Sequence, residues 1–592
     1  MHDTDDLEAV LRYHERTKHH FNRYASGPGQ LDWANQPNPF RRYDGASLIS
    51  LPLLGRDVEP LSPRYDDLYR AGSVPSAALT LHSLSRLFEY SLAISAWKLA
   101  GATRWALRCN PSSGNLHPTE GYLLIGPLAG LAHAPGLYHY AANEHGLEHR
   151  ADCPLDLFSA LTRALPPQAF LIGLSSIHWR EAWKYGERAF RYCQHDIGHA
   201  LGALRFAAAT LGWCTCLLHG LADATIEDLL GLNRADDFAR AEPEHPGLIL
   251  AVYPSDRAHA SSSGTPRGPT PHVDPVVAHE LTQQRWYGHA NRLSRDVPVT
   301  WQAIDEVALA SRTPGIDAQG IELPGAQARR REPSATAEAT ADATANVTAA
   351  GQIILQRRSL QACDGRTSIS ATRFYRMLAR VMPRVELTPG RRPVPWDGIA
   401  WGATLHLGLF VHRVDGLAAG LYALARDPAA LDTLQHAMHP QFAWLVPPGC
   451  PADLPLRLLA RGDATRLATE VSCHQAIAGD GAFSLAMIAQ YQESLFRHGP
   501  WFYRRLFWEA GLIGQVLYLE AEAAGLRATG IGCYFDDPVH QVFGLDGIGF
   551  QSLYHFTVGG AVEDARLTTL AAYDGRVATP DLDPNHPERN LH

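Results

Sequence analysis

Three short stretches of this chain concentrate polar or charged groups on stiff backbone. Asn110-Pro111-Ser112-Ser113-Gly114-Asn115-Leu116-His117-Pro118 sets two hydroxyls, a glycine and an amide between prolines. Such a loop suits a flat polar ligand, and equally suits satisfying its own backbone. Gln356-Arg357-Arg358-Ser359 places two guanidiniums and a hydroxyl before an amphipathic helix, a good clamp for a phosphate. Thr529-Gly530-Ile531-Gly532 lets main-chain N–H groups approach a ligand closely. Two other pairs invite stronger readings. His195 and His199 have the spacing of a zinc-binding helix, but the intervening acid is Asp196 and no third ligand is evident, so no metal is expected. Ser472-Cys473-His474-Gln475 suggests a Cys–His nucleophile, yet adjacent helical residues do not face each other.

The elements that would position these groups follow from hydrophobic periodicity. Apolar residues at helical spacing run from Leu81 to Leu99, through Leu84, Leu87, Phe88, Leu92 and Trp97. The polar loop leads into Tyr122-Leu123-Leu124-Ile125, with further strands at 136–140, 169–174 and 248–253. Trp183 to Gly212 reads as one long helix whose small residues Gly198, Ala200, Gly202 and Ala203 invite a close helix partner, with Gly212 as its terminator. Residues 1–75 read as a wrapping arm, 258–275 as a Ser/Gly/Pro loop, 276–312 as a helical connector, and Ala326–Ala350 as an Ala/Thr linker unable to build a core.

At 592 residues and 46% apolar content, two to four domains are expected. A net charge of −9 argues against a general nucleic-acid surface. Nine cysteines are too sparse for a disulfide framework, and Cys214 and Cys216 read as small buried residues. The acidic N-terminus lacks an apolar leader and no run is long enough for a membrane, so a cytoplasmic setting is expected.

The chain also repeats. Ala169-Phe170 returns as Ala482-Phe483, Arg191 as Arg504, Gly198 as Gly511, Gly212 as Gly525 and Asp223 as Asp536, all offset by 313 (525 − 212). Two copies of one α+β unit, folded as an internal pseudo-dimer, are expected. The copies have diverged: copy one lacks the Arg-Arg-Ser clamp and the Gly-x-Gly, holding Cys214-Thr215-Cys216-Leu217-Leu218-His219 at the latter position. Where copy one has the serine loop, copy two reads Thr388-Pro389-Gly390-Arg391-Arg392-Pro393.

Pro111-Ser112-Ser113-Gly114-Asn115, Arg357-Arg358-Ser359 and Thr529-Gly530-Ile531-Gly532 resemble the flavin-binding signatures of the FMN-dependent nitroreductase superfamily. Leu116-His117-Pro118-Thr119-Glu120 and Lys184-Tyr185-Gly186-Glu187-Arg188 are similar to its SagB-type (azoline oxidase) dehydrogenase branch. The resemblance implies an α+β fold, with two tandem nitroreductase-like α/β sandwiches, each a mixed sheet flanked by helices. It divides the chain into domain one at 1–257, a connector at 258–350 and domain two at 351–592.

It also implies one FMN per chain. Arg357, Arg358 and Ser359 would hold its phosphate and ribityl chain, with Arg566 a further phosphate candidate. Main-chain groups of Gly530, Ile531 and Gly532 would address the ring, and Ser112, Ser113, Gly114 and Asn115 would reach across from copy one. Lys184 and Tyr185, placed at a helix start, are the implied acid/base pair, replaced by Arg497-His498 in copy two. The implied activity is oxidation of an azoline-like heterocycle, in a modified peptide or a small metabolite, with a biosynthetic partner enzyme as a possible associate. A nitro, quinone or enone reductase using NAD(P)H, and a non-catalytic peptide-binding scaffold, stay open. Neither nucleic acid nor membrane is an expected partner.

Overall fold

The computed structural model describes residues 2–55, 57–254, 271–296, 299–315, 347–384 and 392–573. Most of the 258–275 loop, the Ala/Thr linker up to residue 346, and Thr388-Pro389-Gly390-Arg391 lie outside these residues.

Each copy is built on one sheet. In copy one the strands are β1 (Leu48–Ser50), β2 (Thr119–Ile125), β3 (Gly136–Ala141), β4 (Gly146–Asp152), β5 (Phe170–Ser176), β6 (Trp213–Leu217) and β7 (His245–Pro254), in spatial order β1-β4-β3-β2-β5-β7-β6. In copy two they are β8 (Leu405–Val411), β9 (Gly420–Leu424), β10 (Leu456–Arg461), β11 (Phe483–Gln490), β12 (Arg527–Ile531) and β13 (Phe550–Gly559), in order β10-β9-β8-β11-β13-β12. The order is the same in both, apart from the extra β1. Every pairing in both sheets is antiparallel, where a mixed sheet was implied. The helical excursion after β5 brings the chain back at the end of the sheet it left.

The helices repeat with the 313 offset. After α1 (His2–Arg16), α2 (His178–Tyr185), α3 (Ala189–Thr210) and α4 (Asp223–Leu230) of copy one recur as α5 (Tyr491–His498), α6 (Phe502–Ala523) and α7 (Asp536–Phe543). The two long helices, α3 and α6, cross at Gly198 and Gly511. A Cβ on Gly198 would collide with the main chain of Trp508, and one on Gly511 with the His195 carbonyl. One turn on, a Cβ on Gly202 would lie 2.9 Å from Gln515, its own counterpart by the offset. A residue meeting its own copy marks a two-fold axis, and ion pairs obey the same symmetry. Arg191 pairs with Asp536 at 2.9 Å, and Arg504 pairs with Asp223 at 2.7 Å. The pseudo-dimer read from the repeat is therefore present.

Several local readings differ. The helix read over 183–212 is two helices, broken at Gly186 (φ 54), where Ser26 and Gly27 of the arm fill the space a side chain would need. Lys184 and Tyr185 consequently end α2 rather than start a helix. The helix read from Leu81 stops at Glu89, and Trp97 belongs to a strand, Ile94–Ala100, paired with Thr103–Arg108 and with Thr568–Leu570 from the far end of the chain. Local periodicity cannot register so distant a partner. The arm opens with α1, whose Val10, Tyr13 and His14 are buried, Tyr13 packing edge-on against both Phe190 and Tyr503. Among the described residues of the connector, Pro275–Glu280 and Gln302–Ala310 are α-helical. Cys214 and Cys216 are half-buried rather than buried. No helix of the described residues is long and apolar enough to cross a membrane.

Gly198→Ala is expected to lower unfolding stability by about 1–3 kcal/mol, because the overpacked crossing has backbone on both sides. Urea denaturation of the full chain checks this, and an unchanged midpoint would contradict it.

Candidate functional site

The polar loop is held by two helices. Gly114 (φ 57), Asn115 (φ 60) and His117 (φ 53) are left-handed, a conformation that costs non-glycine residues about 1–3 kcal/mol and needs anchoring. Ser113 donates through both its main-chain N–H (3.1 Å) and its hydroxyl (3.2 Å) to Asp196 of α3. Arg180 of α2 donates to the His117 carbonyl at 2.6 Å and pairs with Glu120. Inside the loop, Asn115 Nδ2 donates to the Ala106 carbonyl at 2.9 Å. Its Oδ1 therefore accepts from His117 Nε2 at 3.0 Å, and the His117 main-chain N–H donates to Ser112 Oγ at 2.8 Å. Both ends of the Asn115 amide are thus engaged within the loop, as is Ser113 with Asp196.

Lys184 and Tyr185 lie directly against this loop: a Cβ on Gly114 would sit 2.5 Å from Tyr185 Oη and 3.2 Å from Lys184 Nζ. A side chain there would have to displace Tyr185 or Lys184 as well as adopt φ 57. Tyr185 packs edge-on against Tyr192 at 4.6 Å, and Tyr192 fills the space above Gly532 of copy two. His195 stacks at 4.0 Å on Tyr554, which fills the space above Gly530. Tyr185 and Tyr192 thus join the serine loop of one half to Gly532 of the other, and the His195–Tyr554 stack joins α3 to Gly530.

The arginine clamp reaches the same junction. Arg357 Nη2 donates at 2.9 Å to the carbonyl of Arg108, two residues ahead of Asn110. Ser359 and the Gly530 N–H each lie 3.1 Å from the Tyr518 hydroxyl, which joins clamp to glycine strand. Arg358 holds Ser95 and the Leu355 carbonyl. Beside Gly530 and Ile531 opens a groove of about 380 Å³, walled by Leu360, Gln475, Ile477 and Thr529. Arg566 is not brought to this place: it is exposed, and among the described residues its hydrogen bonds go to Asp564.

The electrostatics of the junction are uncompensated. Arg357 is 4% exposed, forms no ion pair with a described residue, and its Nε has no partner. Burial lowers its pKa, and burial together with Arg357 lowers that of Arg358 to about 10. Other buried polar atoms without partners line the same region: Arg108 Nε, Asn110 Oδ1, His117 Nδ1, His195 Nδ1 and both oxygens of Glu181. Burial, reinforced by Asp196, raises the Glu181 carboxyl well above its ordinary range, and burial pushes Asp196 up to about 7. Neither acid was read as functional from sequence. Glu181 lies one helical turn before Lys184 and Tyr185, which was the available signal.

The opposite junction, generated by the pseudo-two-fold, is filled. Strand registers pair Leu123 with Ile172 and Leu409 with Leu485, so Asn115 corresponds to Trp401. This corrects the alignment with 388–393: the true counterpart of the serine loop is Trp396–Trp401. Gly530 and Gly532 correspond to Leu217 and His219, and Tyr192 to Arg505. Arg505 lies over the buried Trp501 (4.5 Å) and Trp401 (5.3 Å), and Arg205 closes the space by pairing with Asp397 at 2.6 Å.

The profile of the Nitroreductase family matches residues 93–241 and again 423–560. The family model thus recurs once in each copy. A nitroreductase-like protein of Methanocaldococcus jannaschii is 24% identical over 183 residues, 30% of this chain and 82% of that one. A crystal structure of a nitroreductase-like protein from Anabaena variabilis ATCC 29413 superposes with a TM-score of 0.62 at 21% identity, covering 94% of this chain and 99% of the other. That likeness extends the fold across both copies.

Because folding raises the Asp196 pKa, its stabilising contribution is complete below the ordinary carboxylate range and is lost as pH rises through about 7. Asp196→Asn is expected to flatten part of the stability decline between about pH 4 and 7, measured by denaturant unfolding of ligand-free protein across that range. An unaltered slope would contradict the assignment.

Proposed function

We propose that this chain is a flavin-dependent oxidoreductase binding one FMN between its halves and oxidising an azoline-like heterocycle or similar small metabolite. The observation that carries the reading is the buried Arg357, with the half-buried Arg358 beside it and no counter-anion among the described residues, set among orphaned polar atoms where the two halves meet. A buried cation without an anion is costly, and a phosphate monoester is the complementary dianion.

The residues fit FMN in chemical kind. Arg357 and Arg358 would hold the phosphate and Ser359 the ribityl chain. Gly530 to Gly532 would offer main-chain N–H groups, and the loop at Ser112 to Asn115 would form the facing wall. When bound, the flavin supplies hydride acceptance at its ring. The chain's own part is to orient the ligand and manage a proton. Lys184 and Tyr185 stand beside Gly114, and Glu181, whose carboxyl is raised well above its ordinary range by burial, lies one helical turn before them. A peptide substrate would be delivered with a biosynthetic partner, in a cytoplasmic setting.

A scaffold reading has one observation in its favour: the Tyr518 hydroxyl already satisfies Ser359 and the Gly530 N–H. Adding FMN to the purified chain and following flavin fluorescence separates the two. Saturable quenching supports the enzyme, and unchanged fluorescence supports the scaffold. Arg357→Ala is expected to weaken FMN binding by about tenfold to a hundredfold, the worth of one charge-assisted hydrogen-bonding group. Lys184→Ala is expected to leave FMN binding intact and lower the rate of reductant-driven flavin turnover. Equal FMN affinity in Arg357→Ala would remove the phosphate assignment.

A further inference from the structure

We propose that Cys473 and Cys533 form a redox-active dithiol that reacts with small disulfides and closes to an intrachain disulfide. The two cysteines lie on segments pinned side by side. The Phe535 N–H donates to the Val471 carbonyl at 2.8 Å, and Gln475 Nε2 donates to the Cys533 carbonyl at 2.9 Å. Each thiol is the largest single influence on the ionisation of the other, and both are half-buried, so a small reagent can reach them. Cys473 (φ 54) and His474 (φ 58) are both left-handed. Two successive non-glycine residues in that region are strained, and here the strained pair carries the thiol.

The surroundings select which sulfur is the nucleophile. The Ala25 N–H donates to His19 Nδ1 at 2.9 Å, which leaves the ring proton on Nε2. The His19 ring acts on Cys533, and the Arg188 guanidinium lies beside it, donating at 3.2 Å to the carbonyl of the preceding Gly532. The thiol of Cys473, His19 and Arg188 together lower the Cys533 pKa, while Cys473 is raised. Cys533 is the attacking thiolate and Cys473 the resolving thiol. The place is also informative: Cys533 directly follows Gly532, and its charge is felt at Tyr185 and Tyr192. A metal explains the cluster less well. Among the described residues the converging group is Glu15, His20 and Asp537, and Lys18 already pairs at 2.9 Å with both of those carboxylates.

The chemistry balances with oxidised glutathione as oxidant. The Cys533 thiolate attacks one glutathione sulfur, the S–S bond breaks, and a glutathione thiolate leaves. Cys473 gives up its proton and attacks Cys533 sulfur, forming the Cys473–Cys533 bond and expelling the second glutathione thiolate. Two protein thiols are oxidised by two electrons, one disulfide is reduced, and the protons end on the two glutathiones.

The full-length chain, incubated with oxidised glutathione and digested without reduction, tests this by peptide mass mapping. A cross-linked Cys473–Cys533 peptide lacking two hydrogens is expected in the wild type. Cys473→Ser should instead retain one glutathionyl group on Cys533, and Cys533→Ser should leave Cys473 free. Circular dichroism checks that both variants fold. If they do not, the wild-type map alone decides. Recovery of both cysteines unlinked, free or separately glutathionylated, would overturn the proposal.

Discussion

The two halves meet backbone on backbone where α3 and α6 cross at Gly198 and Gly511. Any side chain at either position would drive the helices apart. That separation would carry Arg191 from Asp536 and Arg504 from Asp223, and lift Tyr192 and His195 off the glycine strand of copy two. The candidate site exists because two missing side chains let one half lean on the other. The exchanged termini reinforce this: α1 packs onto Tyr503, and Thr568–Leu570 adds a strand to the Ile94–Ala100 hairpin.

On that symmetric frame the two junctions have been used differently. In copy one Asp196 accepts from Ser113 and pairs with no arginine among the described residues, and burial pushes its pKa up to about 7. Its counterpart Glu509 accepts from Thr404 and is matched by Arg426. One acid is poised and the other is locked. Likewise the glycines under Tyr192 and Tyr554 have become Leu217 and His219 across the axis, and Trp401 stands where Asn115 would be. Bulky side chains fill one junction, where Arg505 Nε and Trp401 Nε1 also lack partners, while the other keeps small residues.

The sequence was most legible where a pattern was repeated. The 313 offset marked α3, α6 and their glycines because the same steric demand acts twice. The three polar stretches were found because glycine, proline and arginine leave strong local signatures, and the structure gathers all three around Tyr185, Tyr192 and Tyr518. What was missed depends on distant partners. Trp97 looks helical until its strand neighbour from residue 568 onward is known, and the break at Gly186 is imposed by the arm passing over it. The serine loop's counterpart was misaligned because insertions shifted copy two, and only strand register recovers Trp396–Trp401. Glu181 and Asp196 carried no motif; their chemistry arises from burial alone.

The central claim is that two unequal halves build one complete ligand cradle and one filled remnant. Titrating ligand-free protein with FMN by isothermal calorimetry counts the cradles directly. The account predicts saturation at one FMN per chain, and a stoichiometry of two, with both junctions binding, would contradict it.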